Sequence, residues 1–172
     1  MNQRVWKALG LGILGLFALT FTACRPALIV LPPHIHSVAL DIVDNHTAKY
    51  GLEALTTQSV LREFQTDGRL SLVDEKRADL LVRLSIRQFE REVLLTDKDT
   101  NRPQQYRLSI KYDLTAVDQI DHKPLFEDKG RVRSVLYYTS DYIGAIVETE
   151  EQALQRLSDD LANSLVRRVI EG

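Results

Sequence analysis

The chain has 172 residues, with 22 Lys+Arg against 24 Asp+Glu, 44% hydrophobic and 27% charged residues, eight glycines and five prolines. This composition suits one ordinary globular domain and excludes collagen, low-complexity disorder and coiled-coil arrays. A net charge of -2 offers no bulk attraction to nucleic acid, so no nucleic-acid partner is expected and any anion binding has to come from a local patch.

Arg4 and Lys7 precede an uncharged run from Ala8 to Ala23, the charge layout of a secretory signal. The run is shorter than the ~20 residues that span a hydrocarbon core. It ends at Phe21-Thr22-Ala23-Cys24, which looks like a bacterial lipobox, where the thiol is acylated and the chain is cut before the cysteine. Cys24 is the only cysteine, so no intramolecular disulfide and no thiolate-based metal centre is available. Residues 1–23 are thus expected to be a lipoprotein signal peptide, with Cys24 as the lipidation site. Acyl chains on one residue hold a protein on a bilayer leaflet without a membrane span. Arg25, where an Asp can retain lipoproteins at the inner membrane, favours the outer membrane, with the protein anchored on its periplasmic side.

Residues 24–34 carry Pro26, Pro32 and Pro33 and read as an extended tether. A single domain is expected over 35–172. Val38, Leu40 and Ile42 alternate as in a half-buried strand. Asn45-His46-Thr47 offers side chains to cap a helix over Ala48 to Thr66, which Asp67-Gly68 stops. The apolar residues of that helix, Leu52, Leu55, Val60, Leu61 and Phe64, trace no narrow stripe.

After an extended piece at Leu70 to Val73 come three long alternating segments. Leu80, Val82, Leu84 and Ile86 form one row, with a phase shift at Phe89 that predicts a bulge. Tyr106, Leu108, Ile110, Tyr112, Leu114 and Ala116 form the second. Phe126, Val132, Leu136 and Tyr138 form the third, with Gly130 and Ser134 in the same parity. The loops Thr96 to Gln104 and Asp118 to Lys123 suit antiparallel hairpins and are too short for helical crossovers. Thr149 and Gln152 make a capping box for a last helix, with Glu150 and Glu151 in its first turn. Leu154, Leu157, Leu161, Leu165 and Val169 give that helix one apolar face. The expected fold is α+β, a two-layer sandwich with two helices on one face of a mainly antiparallel four-stranded sheet.

Catalytic constellations are missing: the chain has no Gly-rich phosphate loop, no HExxH and no GxSxG, so no enzyme is expected and no cofactor is implied. His34 and His36 could share one side of a strand, but no third ligand or flanking carboxylate is evident, so no metal site is predicted and a solvated pair is expected. Asn45-His46-Thr47 also matches a glycosylation acceptor, although a capping role suits a bacterial lipoprotein better. The open sheet face is more informative. Arg83, Arg87, Arg107, Lys111, Arg131 and Arg133 share one parity, with Ser85 and Ser109 between them. Like charges placed across strands cost a few tenths to ~1 kcal/mol per pair. Such a cluster is either balanced by Asp79, Asp113 and Glu127, or binds phosphates, which Arg can grip bidentately.

Leu31-Pro32-Pro33-His34-Ile35, Asn45-His46-Thr47, Gly51-Leu52-Glu53, Leu55-Thr56, Glu63-Phe64, Asp67-Gly68-Arg69-Leu70, Leu72-Val73 and Ala78-Asp79 stand in this order. That run resembles the LptE family of lipopolysaccharide-assembly lipoproteins; the usual Gly-Tyr after the acylated cysteine is replaced by Arg25-Pro26. The resemblance implies an outer-membrane lipoprotein that plugs the LptD β-barrel, assists its assembly and binds lipopolysaccharide for delivery to the surface. The six cations would then be lipopolysaccharide contacts. The alternative is a lipid-anchored periplasmic regulator resembling LpoB or the TolB N-terminal domain, which binds an envelope partner protein.

Overall fold

The computed structural model describes residues 31–140 and 144–171. The expected signal peptide, Cys24 and most of the tether lie outside the described residues. Along the chain run β1 (Ser37–Leu40), β2 (Asp44–Asn45), α1 (Leu52–Asp67), β3 (Ser71–Leu72), β4 (Leu80–Thr96), β5 (Pro103–Asp118), β6 (Lys123–Tyr138) and α2 (Glu150–Glu171). The sheet order is β3-β1-β4-β5-β6, with β2 also paired to β4. Strands β4, β5 and β6 form the expected antiparallel meander. The three short strands add a parallel edge, so the sheet is mixed and has more strands than the alternation predicts. β1 is the strand that Val38 and Leu40 predict and β3 falls on the expected extended piece, whereas the two-residue β2 is too short to show a period.

Both helices lie on one face. The rows Leu80 to Ile86 and Leu108 to Ala116 are buried under them together with Leu157, Leu161 and Leu165 of α2. Each such side chain contributes ~1.5–3 kcal/mol when fully buried. Thr149 and Gln152 close the capping box as expected: each backbone N–H donates to the other's side-chain oxygen, at 2.9 and 3.2 Å.

The first helix begins later than expected, because Gly51 in the left-handed region (φ 83°) precedes it and Asn45-His46-Thr47 is spent elsewhere. Asn45 Oδ1 accepts the Thr47 N–H at 3.0 Å, an Asx turn, while Asn45 Nδ2 donates to Glu53 at 2.7 Å. Its buried face is Leu52, Thr56, Ser59, Val60 and Phe64. Two of these are polar, which hides the stripe. Ser59 Oγ donates to Asp159 on α2 at 2.7 Å. Lys49 meets Glu150, Glu63 meets Asn163 and Arg69 meets Glu171, so the two helices run in the same direction.

Two details depart from the expected rows. Ile42 leaves the strand after Leu40 and is 88% exposed. On β6 the parity is inverted: Val135 and Tyr137 are buried, whereas Val132 and Leu136 are 55% and 43% exposed. A second bulge causes this. The register with β5 slips between Tyr112/Arg131 and Leu114/Asp128, and Gly130 sits there at φ 65°. The extra residue turns everything after it to the opposite face.

Candidate functional site: the open sheet face

The β6 bulge splits the cation row that the sequence places on one face. Arg83, Arg87, Arg107 and Lys111 lie on the open side. Arg131 and Arg133 lie on the helix side, opposite Tyr112 and Ile110. There Arg131 Nε stands 4.0 Å from Asp128, and Arg133 donates to Ser164 Oγ of α2 and stands 4.0 Å from Asp160. Arg133 thus ties β6 to α2, Arg131 pairs within β6, and both point away from the open face.

The first bulge, at Arg87, changes the neighbours of the remaining cations. After it, Gln88, Glu90 and Glu92 stand opposite Lys111, Ser109 and Arg107. The expected adjacency of like charges is therefore replaced by pairing. Arg107 meets Glu92 at 3.0 Å, Arg87 meets Asp113 at 2.7 Å and Arg83 meets Asp41 at 3.2 Å. Of the three expected balancing acids, Asp113 does pair with a row cation. Glu127 instead holds Lys129 at 2.9 Å, and Asp79 accepts the His36 and Ser37 N–H groups at 2.9 Å each. Lys111 has no carboxylate partner among the described residues and lies between Gln88 and Val132.

Asp113 is the pivot of this face. Oδ1 accepts the Gly130 N–H at 2.8 Å, and Oδ2 accepts Arg87 Nε. The Gly130 N–H and then Arg87 hold its carboxyl below the usual range. A groove runs beside it, bounded by Asp41, Asp44, Arg83, Arg87 and Lys129, with Ile42 at its lip. At the β1 end a satellite cluster of Ala39, Ala78 and Leu81 closes the face under Glu75–Arg77. What stays open is a strip with paired arginines, one unpaired lysine and exposed Val132 and Leu136. Such a strip can meet phosphate and alkyl groups side by side.

On the helix side, Glu150 of α2 links β4 to the loop before α1, accepting from Lys49 and Arg91 at 2.6 Å each. Lys49 and then Arg91 hold its carboxyl low. Arg91 lies 5.2 Å from the Tyr106 ring, which stacks on Tyr137. This network is structural, and nothing in the spacing of Lys49, Arg91 and Glu150 announces it.

His34 and His36 do not converge. His34 Nε2 instead meets Asp118 Oδ2 at 2.6 Å, and this hydrogen bond raises its pKa. Burial pushes the Asp118 carboxyl up, but the Asp121 N–H, His34 and the Ile120 N–H outweigh it and leave the value lowered. The contact joins residues 84 apart in sequence, which no local pattern reveals.

A model of the LptE family, described as lipopolysaccharide-assembly, matches residues 35–169. No curated protein matches the chain. Among solved structures, a PelC dodecamer protein from Paraburkholderia phytofirmans aligns over 79% of this chain and 89% of its own, at 8% identity and TM-score 0.51. A hypothetical protein from Chlamydia trachomatis aligns over 78% and 95%, at 12% identity and TM-score 0.51. Rare lipoprotein B from Shewanella oneidensis aligns over 76% and 92%, at 14% identity and TM-score 0.44. The first two have the same fold.

Proposed function

The chain belongs to the LptE lipopolysaccharide-assembly family, and from that membership we propose that it is an outer-membrane lipoprotein, acylated at Cys24, that plugs the LptD β-barrel. In this reading it assists barrel assembly and receives lipopolysaccharide on its way to the surface, a binding role without catalysis. The family match over 35–169 carries the proposal. It is supported by the lipobox-like Phe21-Thr22-Ala23-Cys24 and by an open face that sets Lys111 beside exposed Val132. The lipid-contacting set is narrowed to Arg83, Arg87, Arg107 and Lys111, because Arg131 and Arg133 are committed to the helix side.

The test is purification from outer membranes with photocrosslinking groups placed at Val132 and Leu136. Adducts with LptD and lipopolysaccharide are expected. Recovery of the protein with neither, from membranes that contain both, overturns the reading. In parallel, Cys24→Ser should abolish lipid labelling and leave an uncut precursor, and normal labelling of that variant overturns the anchor.

A further inference from the structure

Where the chain enters the sheet, an imidazole from the entering segment and two carboxylates from the β5–β6 hairpin converge. We propose that His34, Asp118 and Asp121 form a binding site for a divalent transition-metal ion of the zinc class. His34 comes from a turn closed by the Ile35 N–H donating to the Pro32 carbonyl at 3.0 Å. Asp118 is the last residue of β5, and Asp121 belongs to the turn that leads into β6. One ligand atom from each lies within 4.8 Å of the other two. An ion with bonds of ~2.0–2.2 Å bridges that span with small side-chain movements.

Asp118 is already prepared as a ligand. Its side chain is only 2% exposed. Oδ1 is occupied by the N–H groups of Ile120 at 2.8 Å and Asp121 at 3.0 Å, which leaves Oδ2 turned toward the imidazole. Outer hydrogen bonds of this kind orient a metal ligand and sustain its affinity. Buried carboxylate charge also requires a counter-charge, and a divalent ion supplies more of it than a single shared proton. The 2.6 Å contact between His34 and Asp118 must widen to admit the ion. The His34 side chain has room to do so, since it is 39% exposed.

The donor set decides the class of ion. Calcium and magnesium take oxygen ligands, whereas an imidazole with carboxylates suits zinc and its neighbours and leaves a position for water. A bound ion would bolt His34 to the β5–β6 turn and so fix the point where the preceding chain leaves the domain.

The experiment is calorimetric titration of chelator-stripped full-length protein with Zn2+. A single bound ion is expected. His34→Ala and Asp121→Asn should each lower its affinity at least about tenfold. His46→Ala removes an imidazole that pairs with Asp44 instead and should bind as the unaltered protein does. Asp121 is exposed, so its replacement tests ligation with the fold intact, which circular dichroism checks. Absence of binding, or unchanged affinity in both His34→Ala and Asp121→Asn, overturns the site.

Discussion

Asp113 Oδ1 accepts the backbone N–H of Gly130 at 2.8 Å across the β5–β6 pair. The contact seats the bulge that sends Arg131 and Arg133 to the helix face while Lys111 stays on the open one. Gly130 holds φ 65°, where an added Cβ would meet only the Lys111 Cε at 3.4 Å. The cost of a side chain there is therefore conformational, ~1–2 kcal/mol for the left-handed region. Gly130→Ala should lose about 1 kcal/mol in urea denaturation, with the open-face charges unchanged. No loss would mean that this residue does not need the left-handed conformation.

One source of acid sensitivity lies where β6 meets the end of α2. Arg168 grips Asp128 with Nε to Oδ2 at 2.9 Å and Nη2 to Oδ1 at 3.2 Å, over the Phe126 ring at 4.2 Å. Arg168 holds the Asp128 carboxyl below its ordinary value. A carboxylate with a lowered folded pKa stabilises fully above its unfolded pKa of ~3.9 and loses that contribution as pH falls through the folded value. Stability should thus fall below about pH 4. Asp128→Asn should be less stable at neutral pH and lose less on acidification. An acid limb identical to that of the unaltered protein would remove Asp128 from the account.

The helix interface offers two substitutions of opposite sign. Leu161 is fully buried, and Leu161→Ala should cost ~2–5 kcal/mol through lost burial and a residual cavity. Thr56 is equally buried, but its hydroxyl has no hydrogen-bond partner among the described residues. An unsatisfied buried hydroxyl is a liability that an apolar group of the same shape removes. Thr56→Val should therefore raise the thermal midpoint. Calorimetry of the two variants checks both signs, and a destabilised Thr56→Val would show that the hydroxyl is satisfied in solution.

How far this fold can be read from its residues depends on whether one residue breaks the period. Leu80 to Ile86 and Tyr106 to Ala116 alternate without interruption, and their faces are legible. The shift at Phe89 is legible too, because apolar residues stand on both sides of it. The β6 bulge leaves no comparable sign. Val132 and Leu136 are apolar yet exposed, and Gly130 fits the wrong parity as easily as the right one. The face of α1 is hidden by Thr56 and Ser59, and β2 by a length of two residues that cannot alternate. Of the six cations expected to share a face, four do, and three of those four carry acids: Asp113 is legible from its parity, whereas Asp41 and Glu92 emerge only from the paired strands.

The division of the cations makes the last prediction sharper than a single basic patch would. Lys111 has no carboxylate partner among the described residues, so its ammonium is the open-face charge freest to meet a phosphate, with Arg87 and Arg107 able to exchange Asp113 and Glu92 for one. Lys111→Glu should weaken lipopolysaccharide binding, most strongly at low salt where exposed charges are least screened. Its fold should persist, since an exposed charge barely affects the core. Arg133→Glu should behave in the opposite way. It removes the link to Ser164 and sets a carboxylate near Asp160, so stability should fall while binding by the folded fraction is retained. Binding assays at two salt concentrations, paired with thermal unfolding of each variant, separate the outcomes. Unchanged binding by folded Lys111→Glu would reject the open face as the lipid surface, and lost binding by folded Arg133→Glu would move that surface to the β6 edge.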